Sequence, residues 1–567
     1  MNTAATTLHR RPLSTLDQLP TDLPPLLRRL YAGRGVSPQQ LSLGMDQLLP
    51  PQALKGAAEA SRLLADAIAA GRKIVIAGDY DCDGATGVCV ALLGLAALGA
   101  TRLGYVVPDR FRMGYGLSPA LVDVAQGEGA EVLVTVDNGI ASLSGVAHAK
   151  ALGMTVIITD HHLPGAELPL ADAIVNPNQP GCGFASKALA GVGVMFYVLL
   201  ALRQTLRERG LLVAEPKLAT LLDLVALGTV ADVARLDHNN RVLVEQGLRR
   251  IRAGRAQPGL LALLEVAGRP AANLSATDLG FVLGPRLNAA GRLDDMRMGI
   301  ECLLCTTLDA ARPMARQLDA LNRERRALTA QMADEAFEIT EGSEAVGVCA
   351  FDEQWHEGVV GLVASKLKEA HHRPAIAFAR ASESGVLKGS ARSITGFNVR
   401  DALAAVDAAH PALITRFGGH AMAAGLTLPE AGYQTFCVAF DTVCRRGLPP
   451  EALERALFTD GELEAGELSL QTAQALEQLG PWGQGFEEPL FEGQFRVVAL
   501  RLMGNEQQHV RYQLRAADGT AAEAVDFGGG ERAVAAGRWL RLVYQLGVNR
   551  YNGSETLQLR VVQLLEI

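Results

Sequence analysis

Four short apolar runs rich in β-branched residues, at 73–77, 102–107, 132–136 and 155–159, punctuate the first third of the chain, with helical patterning between them. They recur at intervals of roughly 25 to 30 residues, the spacing of strand–helix–strand units, and predict a mostly parallel sheet with helices on both faces. Residues 46–70 carry apolar positions at helical spacing, and 236–300 read as helices joined by turns. From 307 to 340 the chain is rich in Ala, Leu, Arg and Glu with little Gly, which predicts one long helix. Strand and helix signals alternate again from 345 to about 455. Beyond Gly461 the pattern changes to short alternating strands at 495–503, 510–517, 540–551 and 555–565, and about five such strands make a closed β-barrel.

In a parallel α/β sheet, ligands gather beyond the carboxyl ends of the strands, so those ends hold the candidate chemistry. The first run continues as VIAGDYDCDGATG, a strand that delivers Asp79, Asp81 and Asp83 at its tip. Alternate residues of an extended chain point the same way, and three carboxylates placed so repel strongly unless a cation sits among them. The competing reading is a polar turn whose first Asp caps a helix beginning near Ala85. The third run ends in Asp137-Asn138-Gly139 and the fourth in Asp160-His161-His162, while Asp232 follows the apolar segment LLDLVALGTVA. If all four ends open on one crevice, Asp81, Asp83, Asp137, His161 and Asp232 converge there. An oxygen-rich set with one or two imidazoles suits Mn(II) or Mg(II).

Composition narrows the function classes. The 567 residues, 49% hydrophobic and 20% charged, are ordinary for a globular protein of about three or four domains. The longest uncharged apolar stretch, 188–202, falls short of the roughly 20 residues that span a bilayer, so no membrane segment is expected. The N-terminus has basic residues without a following apolar core, no secretory signal is expected, and the reading is cytoplasmic. Eight cysteines are scattered without paired CxxC sets; the single CLLC at 302–305 has no second pair, so reduced packing residues are expected rather than zinc or a disulfide scaffold. A net charge of −8 does not announce a nucleic-acid binder, although a basic cleft can exist within an acidic protein.

DYDCDG, VDNG, DHH and GTVAD, in that order, resemble motifs I to IV of the DHH phosphoesterase superfamily. GFVLGPRLNAAGRL (280–293), WHEGVVGLVASKL (355–367), LKGSARSITGF (387–397) and RFGGHAMAAGL (416–426) are similar to its RecJ branch, single-strand-specific 5′-to-3′ DNA exonucleases. The resemblance runs from about residue 20 onward. It implies an α/β fold: an N-terminal packing arm (1–45), a DHH catalytic domain (46–300), a connecting helix (301–342), a smaller α/β DHHA1 substrate-binding domain (343–456) and a C-terminal OB-fold barrel (457–567) that grips single strands. The chain departs from the pattern at Ala77, where many relatives have His, so the first ion is expected either to rely on Asp79 or to bind more weakly.

The resemblance also assigns residues. Two ions, Mn(II) or Mg(II), are held by Asp79, Asp81, Asp83, Asp137, His161 and Asp232, with Asp137 between them and His162 steadying the site or a phosphate oxygen. Arg286, Asn288 and Arg292 are read as contacts to the substrate backbone, against the alternative of a salt-bridged turn. Arg110, Ser390 and Arg392 form a pocket for the 5′-phosphate, with Arg416, Gly419 and His420 nearby on loops that also hold Lys388. His371 and His372 are expected to face solvent. The implied activity is removal of 5′-mononucleotides from single-stranded DNA in repair and recombination, in a cleft between lobes too narrow for a duplex. A monomer is expected, with a single-strand-binding protein and a helicase as partners by analogy. Two other readings stand beside it: a DHH phosphodiesterase acting on short oligoribonucleotides, and a non-catalytic single-strand DNA-binding replication scaffold.

Overall fold

The computed structural model describes residues 6–110, 113–212, 214–381, 385–464, 466–551 and 553–566, so the first five residues of the predicted N-terminal arm lie outside the described residues. The chain divides into two compact units, one of residues 10–319 and 459–567, the other of residues 1–9 and 320–458.

In the first unit, β1 (Ile74–Ala77), β2 (Leu103–Val106), β3 (Val132–Val136), β4 (Thr155–Thr159) and β5 (Ala173–Val175) form one sheet. Every neighbouring pair is parallel, in the order β2-β1-β3-β4-β5. Strands β1 and β3 are buried along their whole length, which is why they read as continuous apolar runs rather than alternating ones. The order reverses between β1 and β3, so their connections leave on opposite faces and a crevice opens beyond their carboxyl ends. Helix α1 (Cys82–Ala97) follows β1 directly, and α2 (Gly191–Glu208) and α3 (Leu222–Ala231) pack behind it. Asp232 therefore follows a helix, not a strand. Residues 222–229 of α3 are buried on every side, so the segment has no helical periodicity to read.

The GPRLNAAGRL segment is also helical, as α4 (Gly284–Leu293), and the predicted long helix is α5 (Leu308–Thr340), preceded by a separate short helix at Arg297–Leu304. The C-terminal part of this unit is a closed barrel of β11 (Phe491–Met503), β12 (His509–Ala516), β13 (Ala521–Asp526), β14 (Trp539–Tyr551) and β15 (Ser554–Glu566). Strand β13 pairs β15 in parallel and closes the barrel. Leu26 and Leu30, from a helix at Pro25–Ala32, join the barrel core beside Phe491, Phe495, Tyr512 and Tyr544. Tyr544 (2% exposed) and Phe486 (4%) belong to the interior. Phe486 stacks on Trp482 at 5.2 Å, with the Arg241 guanidinium 3.8 Å from its ring centre. Tyr551 is 70% exposed.

The second unit holds β6 (Val348–Phe351), α6 (Val360–His371), β7 (Ala375–Arg380), β8 (Val386–Arg392), β9 (Arg416–Gly419), β10 (Ala423–Pro429) and α7 (Tyr433–Gly447). Its sheet runs β9-β10-β8-β7-β6, with only β6 and β7 parallel. Lys388, Ser390 and Arg392 lie along strand β8 rather than on a loop, alternating with the buried Leu387, Gly389 and Ala391. His371 and His372 are half-buried instead of solvent-facing, and His371 Nε2 lies 3.0 Å from Thr340 Oγ1. Among the described residues no helix is long and apolar enough to cross a membrane.

Candidate metal centre

Buried strand β1 ends at Ala77, and the chain turns at once into α1 because the Asp81 carboxylate accepts the Gly84 N–H at 3.0 Å and caps the helix. The cap expected of the first Asp thus belongs to the second, and the helix starts at Cys82 rather than near Ala85. This frees Asp79, which is buried and whose Oδ1 has no hydrogen-bond partner among the described residues. Asp83, one turn into α1, accepts the Gly191 and Val192 N–H groups at 2.7 and 2.9 Å. The positive end of α2 therefore holds this buried carboxylate in place.

Asp137 stands directly after β3 with φ +64, left-handed backbone that a non-glycine residue adopts only when its surroundings hold it there. Those surroundings are Asn138, whose side-chain N–H groups donate to Ala77 O (3.1 Å) and Val136 O (2.9 Å), and Thr135, whose hydroxyl donates to Asn138 O (2.7 Å). Asn138 thereby ties the tip of β3 to the tip of β1. After β4, Asp160 accepts from the backbone N–H of Ile140 (2.9 Å), His161 (2.7 Å) and His162 (3.1 Å) and lies 2.7 Å from His162 Nδ1. Its side chain fixes the turn that aims both imidazoles. Tyr115 completes this wall: its hydroxyl donates to Asp137 O at 3.0 Å and lies 3.2 Å from His162 Nε2.

The result is convergence. His161 Nε2 lies 3.0 Å from Asp137 Oδ1, 3.8 Å from Asp232 Oδ2 and 4.0 Å from Asp83 Oδ2. Two sets with no residue in common, Asp79/Asp81/Asp137 and Asp83/His161/Asp232, each bring their ligand atoms within 4.8 Å of one another. Burial, then repulsion from Asp81, push Asp79 well above the ordinary carboxylate range and Asp83 up to about 7. Burial and repulsion from Asp83 do the same to Asp137 and Asp232. Burial lowers the basicity of His162, but the Asp160 carboxylate outweighs it and raises the imidazole above its usual value. A buried group of mutually repelling carboxylates, one with an unsatisfied oxygen, fits divalent cations of the oxygen-loving class. Ala77 leaves no imidazole on β1, and Asp79 stands in the set with Asp81 and Asp137.

The remaining predicted residues divide. The Arg110 guanidinium lies 4.7 Å from the Tyr80 ring centre, beside the β1 tip. Arg286 is committed to the protein: Nε and Nη2 reach Asp319 Oδ1 at 3.0 and 2.9 Å, and Nη1 donates to Val282 O at 2.6 Å. Asn288 accepts the Cys82 N–H at 2.7 Å, buttressing the start of α1. Both lie on a helix rather than a turn, and each has a partner within the protein. Arg292, on the same helix, is half-buried. In the other unit, Arg392 Nη1 donates to Ser390 Oγ at 2.9 Å. Gly361, near the start of α6, faces that pair so closely that a Cβ there would lie 2.8 Å from Arg392 Nη2. Arg416 and Gly419 lie on β9, the latter with φ +141, and His420 begins the exposed turn into β10. Asp160, Asn138 and Tyr115 were missed by sequence reasoning. Asp160 is the first letter of DHH, but its capping geometry is a property of the folded turn.

The chain matches the DHH family N-terminal domain over residues 73–229, the DHHA1 domain over 343–446 and the RecJ OB domain over 459–563. It is 49% identical to the single-stranded-DNA-specific exonuclease RecJ of Salmonella typhimurium, over 97% of this chain and 98% of that one. The protein of the same name from Dickeya dadantii is also 49% identical, over 99% of each chain. Among solved structures, RecJ from Thermus thermophilus in complex with Mn2+ superposes with a TM-score of 0.83 at 29% identity, covering 100% of this chain and 80% of that one. The Mg2+ complex of that protein gives 0.77 at 28% identity, over 99% and 78%. Matched by a relative nearly half identical from end to end, and carrying the DHH, DHHA1 and OB domains in order, the chain belongs to the RecJ family of single-stranded-DNA-specific exonucleases.

Proposed function

We propose that this protein is a metal-dependent exonuclease that removes 5′-mononucleotides from single-stranded DNA in the 5′-to-3′ direction, in DNA repair and recombination. The observation that carries the reading is the pair of disjoint ligand sets at the switch point of the sheet, joined through the 3.0 Å contact between His161 and Asp137. Asp79, Asp81 and Asp137 hold one divalent cation of the Mn(II) or Mg(II) class, and Asp83, His161 and Asp232 hold the second. When bound, such ions supply Lewis acidity at a phosphoryl oxygen and a nucleophilic water at neutral pH.

The protein's own groups do the rest. Asp160 keeps His162 oriented and favours its protonated form, so that His162 presents positive charge towards a phosphate oxygen. Ser390 and Arg392 receive the terminal 5′-phosphate, for which the planar guanidinium offers two parallel donors. In the same unit Arg416, Gly419 and His420 contact the strand, and in the first unit Arg110 and Arg292 are assigned to its phosphates. The barrel holds the outgoing single strand. On this reading the enzyme works as a monomer in the cytoplasm, on strands presented by a helicase or a single-strand-binding protein.

The end-recognition claim is tested with a 3′-labelled single strand bearing either a 5′-phosphate or a 5′-hydroxyl. Arg392→Ala is expected to lower kcat/KM on the phosphorylated strand by about tenfold or more, the value of one charge-assisted contact of about 1.5–3 kcal/mol. The hydroxyl strand should be little affected. Equal losses on both ends would remove Arg392 from the pocket.

The metal assignment makes its own prediction. A carboxyl whose value is raised in the folded state holds a proton that the unfolded chain has released, so the metal-free protein loses stability as pH rises from about 4 towards about 7. A cation must displace those protons, so its binding strengthens over the same window. Manganese at about 100 times its dissociation constant should stabilise the protein by about 2.7 kcal/mol. At a fixed metal concentration, the rise in thermal midpoint is expected to be larger at about pH 8 than at about pH 5.5. A rise independent of pH would place the ion elsewhere.

A further inference from the structure

The eight cysteines read as scattered packing residues, yet two of them face each other in the second unit. Helix α7 runs along strand β6 in a register fixed at both ends. At one end Asp441 Oδ1 accepts the N–H of Val346 (2.6 Å) and of Gly347 (3.0 Å). At the other, the ring of Tyr433 lies 5.4 Å from that of Phe351. Residues 433, 437 and 441 are one helical turn apart, and 347, 349 and 351 share one face of a strand. Cys437 is therefore brought opposite Cys349. Both are half-buried, and both line a groove of about 760 Å³ with Gly347, Phe351, Tyr433 and Val438. A small oxidant has access to the pair.

We infer that Cys349 and Cys437 form a peroxide-responsive dithiol that closes to a disulfide between β6 and α7. Cys437 is the attacking group: the neighbouring Cys349 thiol holds it below the usual thiol range in spite of burial. Burial pushes the Cys349 thiol up, which suits a resolving thiol. The Cys437 thiolate attacks one oxygen of hydrogen peroxide, the O–O bond breaks, and a sulfenic acid and hydroxide result. The Cys349 sulfur then attacks the sulfenic sulfur. An S–S bond forms, the S–O bond breaks, and the oxygen leaves as water with the Cys349 proton. Overall the two thiols are oxidised by two electrons, and the peroxide is reduced to two waters. Cys444, fully buried behind Gly347, takes no part.

The full-length protein is treated with a modest excess of hydrogen peroxide, quenched with an alkylating agent, unfolded, digested and analysed by mass spectrometry. The expected result is one cross-linked pair of peptides containing residues 349 and 437, lighter by the two hydrogens lost and restored by dithiothreitol. Cys349→Ser should convert Cys437 into a sulfenic acid that dimedone traps, whereas Cys437→Ser should leave Cys349 unmodified. Irreversible oxidation of either cysteine without a cross-link in the unmutated protein would overturn the proposal. So would a bridge from Cys349 to Cys444, or both thiols alkylated as in the untreated protein.

Discussion

Asp137→Asn is expected to lower turnover on single-stranded DNA on the order of 10³-fold or more while leaving the protein folded. The loss follows from removing a charge, not a volume. Asp137 is the carboxylate in contact with His161 Nε2, at 3.0 Å, and it belongs to the Asp79/Asp81 set. A ligand whose loss weakens cation binding forfeits several kcal/mol of transition-state stabilisation, and each 1.36 kcal/mol is tenfold in rate. Asn is the correct replacement because residue 137 sits at φ +64, where Asn is tolerated and Ala adds strain of about 1–2 kcal/mol. An Asp137→Ala variant mixes the two effects. The metal-free Asp137→Asn protein should melt no lower than the unmutated one, since a buried carboxylate repelled by Asp83 and Asp81 has been neutralised. Steady-state turnover with a melting curve checks both halves, and unmutated activity in this variant would take Asp137 out of the site.

Gly191→Ala is expected to lower turnover by about 10²-fold, the cost of misplacing reacting groups by roughly 1 Å, although residue 191 holds neither metal nor substrate. A Cβ there would lie 2.5 Å from Asp137 Cβ and 2.8 Å from Asp137 Cα. The Gly191 N–H also holds Asp83 Oδ2. Relief of the clash must move Asp137 or withdraw the end of α2 from Asp83, and either displaces a predicted ligand. Overpacking of this kind costs about 1–3 kcal/mol of stability. Gly193→Ala is the control: its Cβ would meet the Leu189 side chain at 2.7 Å rather than a predicted ligand. A small loss in both variants, or an equal loss in both, would contradict the account.

How much of this was legible in the sequence depends on whether a residue's role is announced by its own neighbours. The four strands of the parallel sheet were placed to within a residue or so at their ends, because buried strands of β-branched residues are compact signals and each ends in a polar tip. Strand β5, only three residues long, and β13, with the Ala-rich sequence AAEAVD, carry too little β-branched character to read. Asp232 was expected at a strand's tip and follows a helix instead, since a helix buried on all sides loses its period. The alternation in LKGSAR was present all along, but Gly389 and two cations made a strand look like a loop. Arg286 and Asn288 show the limit from the other side. Polar residues in a Gly-bounded motif suggested substrate, and their partners, Asp319 and the Cys82 N–H, lie far along the chain or across the fold. The tightness of Gly191 against Asp137 belongs to packing alone, 54 positions apart in sequence.

The central claim, a single-strand-specific 5′-to-3′ exonuclease built on paired cation sites, is tested most directly with one labelled strand. A single-stranded DNA with a 5′-phosphate and a 3′ label is incubated with the protein and Mn(II), beside a blunt duplex and an RNA of the same sequence. The account predicts progressive shortening of the single-stranded DNA from its 5′ end, with release of 5′-mononucleotides and little change in the other two. Tight binding to the single strand without cleavage of any substrate would contradict it and identify a non-catalytic binding scaffold instead.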